Sequence, residues 1–335
     1  MGSMRPGSPL VSVVTPVHNT AAYLGECIES VLAQTCPRFE YIIVDNCSTD
    51  DSLEIAKHYA ARDQRIRVFT NTKRLAAVEN FNHALRFISR ESRYTKLIFA
   101  DDWIYPECVE RMIQVADAAG SVGLVSSYSL AGDRVWGAGL PHNVSVFPGR
   151  EIGRRQLLGE GFFLGSSSTV LYRSDLVRAR PVFFDPETLH ADTDVAYQLL
   201  SKYDLGFVHQ VLSYIRIDPT STSGRVRDLS PVVLDQLTAL LKHGRHFLEP
   251  DELGRCRRQL ERGYYRTYLG QLLGPHRARF LQYHRPALAR LGYRFSKSFM
   301  LRAVLEELAD LVLNPKKTIA RVRLSLRARD DTPRG

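Results

Sequence analysis

Apolar residues along the first hundred positions fall into two alternating rhythms. Short β-rich runs at 10–14, 39–44, 66–70 and 97–100 read as buried strands. Between them the spacing turns helical. Tyr23, Leu24, Cys27, Ile28, Val31 and Leu32 predict a helix over 21–34. The stretch 46–51 is dense in capping residues, and Asp51 with Glu54 fits a capping box for a helix to about Ala61. A third helix is predicted over about 76–89. Strands separated by helices of this length imply βαβ units and a largely parallel sheet.

From 122 to 147 the rhythm breaks into short pieces punctuated by Gly132, Gly137, Gly139 and Pro141, the pattern of strands and loops that wall a pocket. A strand at 169–172, a helix carrying Val195, Leu199 and Leu200, and a strand at 206–214 follow, then a polar loop over 216–224. Beyond Arg225 strand signals cease. Helices are predicted over 234–248, 253–273 and 299–313, with a basic stretch at 316–329 interleaved with Ile319, Val322, Leu324 and Leu326. The expected organisation is therefore a disordered N-terminus or tag remnant at 1–9, an α/β catalytic domain at 10–224, and a basic helical region at 225–335.

Composition adds few surprises: 44% hydrophobic and 24% charged residues are ordinary for a globular chain. No apolar run approaches the 18 or so residues of a membrane span, and no signal-peptide core opens the sequence, so a cytoplasmic location is expected. Five cysteines without a CxxC pair point to reduced thiols rather than a zinc site. Charge is uneven. Of 45 Lys and Arg, 23 lie from Arg225 onward, against 11 of 36 Asp and Glu, which leaves that region near +12. The expected partners of such a tail are an anionic membrane surface, at the inner face of the membrane, or a second copy of the chain; the plainer reading is a solvated basic surface. No nucleic-acid motif accompanies the charge, and no nucleic-acid partner is expected.

Candidate chemistry sits where strands end in carboxylates, at Asp45 and at the adjacent Asp101 and Asp102. Ligands of open α/β sheets bind outside the carboxyl ends of the strands. Two neighbouring carboxylates repel unless a cation or a proton intervenes, and Mg²⁺ or Mn²⁺ shared with substrate phosphates resolves the conflict. The competing reading makes this pair the cap of a helix beginning near Pro106, and makes Asp192 the cap of the helix that follows it. After the first strand come Pro16, Val17, His18 and Asn19, with neither a dinucleotide nor a P-loop glycine pattern. Bound phosphates would have to be held by a metal and side chains.

Five pieces in order, Val11 to Asn19, Tyr41 to Asp50, Asn80-Phe81-Asn82, Asp101-Asp102-Trp103 and Ala191-Asp192-Thr193-Asp194, resemble the family 2 glycosyltransferases, inverting enzymes with the GT-A fold. The resemblance covers residues 11 to about 223, and Lys73-Arg74-Leu75-Ala76-Ala77 is similar to members of the spore-coat-polysaccharide type. It implies a mostly parallel central sheet flanked by helices and a nucleoside-diphosphate-sugar donor, most often UDP-linked. It implies that the Thr15-Pro16-Val17 turn, Asp45, Arg74 and Asp101 contact the nucleotide, that Asp102, or Asp101 in the other register, holds Mn²⁺ or Mg²⁺, and that Asp192 is the general base. The acceptor would be a glycan, a lipid-linked oligosaccharide or a small metabolite. Phe99 stands where many members have a further Asp, Ala191 where a Glu is usual, and Asp218 where a His often lies. A catalytically silent nucleotide-sugar-binding or scaffold protein is the alternative those departures allow.

Overall fold

The computed structural model describes residues 10–188, 190–218, 221, 224–272, 277–294, 296, 298, 300–302, 304, 305 and 309. Its elements run β1 (Leu10–Val17), α1 (Ala21–Leu32), β2 (Phe39–Asp45), α2 (Ser52–Ala60), β3 (Ile66–Thr70), α3 (Ala77–Leu85), β4 (Ser92–Leu97), β5 (Trp103–Ile104) and α4 (Cys108–Ala116). They continue with β6 (Val122–Ala131), β7 (Arg134–Trp136), β8 (Val146–Phe147), α5 (Gly149–Leu157), a 3-10 turn (Ser167–Thr169), β9 (Leu171–Arg173), α6 (Ser174–Arg178), α7 (Ala191–Leu200) and β10 (Asp204–Ile215). Three longer helices follow, α8 (Pro231–Phe247), α9 (Pro250–Leu272) and α10 (Arg277–Arg290).

One mixed sheet joins the strands in the order β3-β2-β1-β4-β9-β6-β10-β5. β1 to β4 form a parallel block, β9 runs against both β4 and β6, and β6 pairs in parallel with β10. The parallel strands β1 and β2 are buried along nearly their whole length, which is why they read as continuous apolar runs. Val13, Ile43, Leu24, Ile28 and Val31 meet in one core with Met112 of α4. Burial of these faces, at roughly 25 cal/mol per Å² of apolar area, is what holds the helices on the sheet.

The chain divides into two compact units. The first takes residues up to Arg225 together with Ala239–Leu253, and contains the sheet. The second takes Val226–Thr238 and the described residues from Gly254 onward. In it Tyr264, Tyr265, Tyr268, Phe280 and Leu288 are buried. Its fully buried His284 is bonded at Nδ1 to the Tyr264 hydroxyl (2.7 Å) and at Nε2 to the Leu229 carbonyl (2.7 Å), and burial pushes its pKa down.

Several local expectations are corrected. The fourth strand lies at Ser92–Leu97 rather than 97–100, because Ser92, Thr95 and Lys96 are buried polar residues that disguise it. β1 does not turn at Thr15-Pro16; it continues to Val17, with Pro16 opposite Val44. Val11 donates toward β2 and Ser12 toward the β4 side, so position 16, in phase with Ser12, faces a side where β4 pairing has ended at Val14. A missing N–H costs nothing there. The Asp51/Glu54 box does not form: Asp51 makes no side-chain cap, and Glu54 pairs with Lys57 instead. α5 and α10 escaped the apolar pattern, α5 because its buried side carries Gly149 and Gly153, α10 because Pro286 lies inside it. Segments 1–9 and 316–329 lie outside the described residues, as does much of the helix expected over 299–313. Among the described residues no helix is long and apolar enough to cross a membrane.

Gly149 shows how tightly α5 is seated. A Cβ there would lie 1.9 Å from the Tyr203 carbonyl oxygen and 2.4 Å from that of Leu200, both backbone atoms. Gly149→Ala is expected to cost about 3 kcal/mol. Thermal melting should show a loss of roughly 6–12 °C.

Candidate active site

The carboxyl ends of β1 and β2 present backbone rather than side chains. Thr15 is buried, its hydroxyl 3.0 Å from that of Tyr41, so only the main chain at Thr15, Pro16 and Val17 lies along the sheet edge. Asp45 is buried too, and both its oxygens accept from the Ser48 N–H (3.3 and 3.2 Å). That bond closes the turn in which Cys47 adopts φ 58°. Asn46 then ties in the next loop. Its Nδ2 donates to the Leu75 carbonyl (2.9 Å), and its Oδ1 accepts from the Leu75 N–H (2.8 Å) and from Asn71 Nδ2 (2.9 Å). Asn71 also donates to Asn80 Oδ1 (2.8 Å). Three asparagines thereby fix the loop that carries Arg74, whose side chain is exposed, beside the end of β2.

Asp101 and Asp102 follow β4 and precede β5, at the same end of the sheet as Asp45 and Val17. They cap no helix: the residue before α4 is Glu107, and it makes no side-chain cap. Asp102 is buried, and its Oδ1 accepts from the Arg216 backbone N–H (2.9 Å). The Arg216 side chain folds back over the pair, donating from Nε to the Asp101 carbonyl (3.0 Å) and from Nη2 to Glu26 (2.6 Å), with its guanidinium 4.4 Å from the Tyr23 ring centre. Burial, and then the charge of Asp101, raises the Asp102 pKa; burial raises that of Asp101, against the pull of Arg216. A buried and a partly buried carboxylate that resist ionisation together are a receptor for positive charge. Among the described residues no group of three His, Cys, Asp or Glu forms a closed cage. The donor set fits a hard cation that takes one or two carboxylates and completes its shell with phosphate oxygens and water. Phe99, where a third carboxylate was absent from the sequence, offers only a carbonyl, already accepting from Asp102 N–H (3.0 Å) and the Cys27 thiol (3.6 Å).

Asp192 is the second residue of α7, not its cap, which is His190. Its Oδ2 accepts from the Ser167 N–H (3.2 Å) and its Oδ1 from Thr193 N–H (2.8 Å). The approach to α7 is anchored by Asn82, which donates to the Phe184 carbonyl (2.7 Å) and accepts from Phe183 and Phe184 N–H (3.1 and 2.9 Å). Asp194 serves a different purpose from Asp192. It accepts from Lys242 (3.2 Å), His243 (2.9 Å) and Gln198 (2.7 Å), and although burial opposes it, these partners hold its carboxyl below the usual range. That cluster ties α7 to α8 and leaves Asp192 to the sheet edge.

The structure thus gathers β1, Asp45, the Arg74 loop, the Asp101–Asp102 pair and Asp192 on one side of the sheet. It adds residues that had no assigned role in the sequence pattern. Asn46, Asn71 and Asn80 were visible only as members of motifs, and Ser168 only as one of three serines.

This fold is shared with solved glycosyltransferases of the GT-A type. Residues 1–349 of Staphylococcus aureus TarS in complex with UDP superpose with a TM-score of 0.54 at 18% identity, covering 85% of this chain and 93% of that one. A mannosyltransferase from Pyrobaculum calidifontis in complex with GDP-Man and Mn²⁺ gives 0.53 at 19% identity over 95% and 85%. Glycosyl transferase family 2 matches residues 12–180, and the chain belongs to that family. Streptococcus pneumoniae serotype 4 glycosyltransferase GlyG is 32% identical over 121 residues, 36% of this chain and 40% of that protein. The chain spans less than half the length of that relative.

Proposed function

We propose that this glycosyltransferase moves a sugar from a nucleoside-diphosphate donor, UDP-linked, to an acceptor hydroxyl with inversion at the anomeric carbon. The observation that carries the reading is spatial. Asp192 and Asp102 lie ninety residues apart in sequence, yet adjacent residues serve both: the Ser167 N–H bonds to Asp192, and Ser168 Oγ accepts from the N–H of Phe99, three residues before Asp102. A base and a diphosphate-neutralising pair in such proximity suit a single in-line displacement.

In that displacement the backbone at Thr15–Val17 and the carboxylate of Asp45 receive the base and ribose, and Arg74 approaches the phosphates from its exposed loop. Asp101 and Asp102 are the residues that would hold Mn²⁺ or Mg²⁺; when bound, the cation supplies Lewis-acid stabilisation of the departing diphosphate. Asp192 takes the proton of the acceptor hydroxyl as it attacks, a contribution of about 10² to 10⁴ in rate. Asp194, fully engaged with Lys242 and His243, keeps α7 in place while this happens. UDP is favoured by the TarS complex, whereas the GDP-Man complex of the archaeal enzyme marks the competing donor class. The positive excess from Arg225 onward favours an acceptor presented at an anionic membrane surface, a glycan on a lipid carrier.

The test is release of nucleoside diphosphate from a panel of UDP-, GDP- and dTDP-sugars with Mn²⁺, with and without mixed glycan acceptors. Turnover of UDP-sugars, with the opposite anomeric configuration in the product by NMR, is expected. UDP binding with no turnover of any donor would make the chain catalytically silent, and retention of configuration would remove Asp192 from its role.

A further inference from the structure

Resting on that reading of the site, we propose that the Ser167–Thr169 turn is the element that sets the spacing between the cation-binding pair and the base, and that Lys96 and Ser168 are positioning residues acting through it. Each link is short and buried. Ser167, Ser168 and Thr169 are 0–1% exposed. On one side the Ser167 N–H holds Asp192 Oδ2 (3.2 Å). On the other, the Ser168 hydroxyl accepts from the Phe99 N–H (3.0 Å), on the backbone that leads from β4 into Asp101 and Asp102. One dipeptide therefore grips the base directly and the cation-binding pair through the backbone that precedes it.

The turn is held from below by a charge. Lys96, on β4, is wholly buried, and its ammonium donates to the carbonyls of Ser168 (2.7 Å), inside the turn, and Val170 (3.5 Å), just after it. No carboxylate forms an ion pair with it among the described residues. Burying an ammonium costs several kcal/mol, offset here by the two carbonyls and at longer range by the Asp102 charge, and an apolar side chain of the same length would avoid that cost. Strand pairing does not require it: Lys96 stands opposite Leu171 on β9 and Val13 on β1, ordinary sheet neighbours. Its position is explained by what the carbonyls need. At the start of the turn Gly165 has φ 68°, and a Cβ there would lie 2.3 Å from Thr169 Oγ1, which itself closes onto Leu164 and Ser166 carbonyls (2.7 and 2.6 Å). The turn is thus wound tight at its entry by Thr169 and fixed at its exit by Lys96. Groups that orient ligands of a metal from outside its shell commonly change affinity or activity 10- to 100-fold when removed.

Two variants test this, with UDP as the probe, titrated in Mn²⁺ and again in EDTA, alongside kcat on the donor that wild type turns over. Ser168→Ala should lose 10- to 100-fold of the Mn²⁺-dependent UDP affinity and of kcat, with UDP binding in EDTA nearly unchanged; the orphaned Phe99 N–H should lower the melting temperature. Ser168→Thr, which keeps the hydroxyl, should recover much of the loss. Lys96→Met should lower kcat in the same range through the turn. If wild type shows no metal-dependent UDP binding, the underlying reading of the site fails. If wild type shows it and Ser168→Ala stays within twofold in both kcat and Mn²⁺-dependent affinity, or weakens binding equally in Mn²⁺ and EDTA, the inference is overturned while that reading stands. Should Lys96→Met fail to fold, Ser168→Ala decides.

Discussion

Asp192→Asn is expected to lower the rate of sugar transfer by about 10² to 10⁴ while leaving Mn²⁺-dependent UDP binding within a factor of two of wild type. An Asn side chain has the same size and keeps one acceptor oxygen, so it can hold one of the two N–H groups, of Ser167 and Thr193, that bond to separate oxygens of Asp192. What it loses is the basic oxygen. Single-turnover rates on the preferred donor and acceptor check the first half, and calorimetric titration with UDP checks the second. A variant that transfers at the wild-type rate would take the base role away from Asp192.

Asp102→Asn should have the larger effect on binding and an opposite effect on stability. If Asp102 holds the cation as proposed, its removal should reduce Mn²⁺-dependent UDP affinity by more than about 100-fold, beyond the range seen for groups that only orient a metal's ligands. Stability follows from linkage. Because burial and the neighbouring Asp101 raise the folded-state pKa of Asp102, the folded chain holds this proton more tightly than the unfolded chain does. Its stabilising contribution is complete below the ordinary carboxylate range and is lost as pH rises through the raised value. At neutral pH without metal the ionised pair therefore weakens the fold, and the Asn variant should melt above wild type at pH 8 in EDTA. The gap should close toward pH 5. By the same proton competition, wild-type Mn²⁺ affinity should climb with pH as the pair gives up its protons. Melting curves at the two pH values check the sign.

The sequence showed the parallel half of the sheet well, since β1 and β2 are buried strands written in apolar letters and the edge strand β3 keeps Ile66, Val68 and Phe69. It showed Asp45, Asp101, Asp102 and Asp192 because carboxylates at strand ends and a helix start break those letters abruptly. What it hid has a physical cause in each case. β4 is fully buried along Tyr94–Leu97, yet Thr95 and Lys96 are polar, each satisfied by a partner far along the chain: Ser174 for Thr95, and the Ser168 carbonyl for Lys96. A local pattern cannot reveal a partner 72 residues away. α5 rests its glycines against α7 and Phe247, so close approach replaced the apolar stripe that marks most helices. The asparagine trio at 46, 71 and 80 joins two loops and α3 by side-chain amides, which leave no periodic trace.

The central claim is that one sheet edge binds a nucleoside diphosphate through a divalent cation held by Asp101 and Asp102. Calorimetric titration of the full chain with UDP, in Mn²⁺ and then in EDTA, tests it most directly. Saturable binding in Mn²⁺ that weakens at least tenfold in EDTA is expected. Equal affinity in both, or no binding in either, would contradict it.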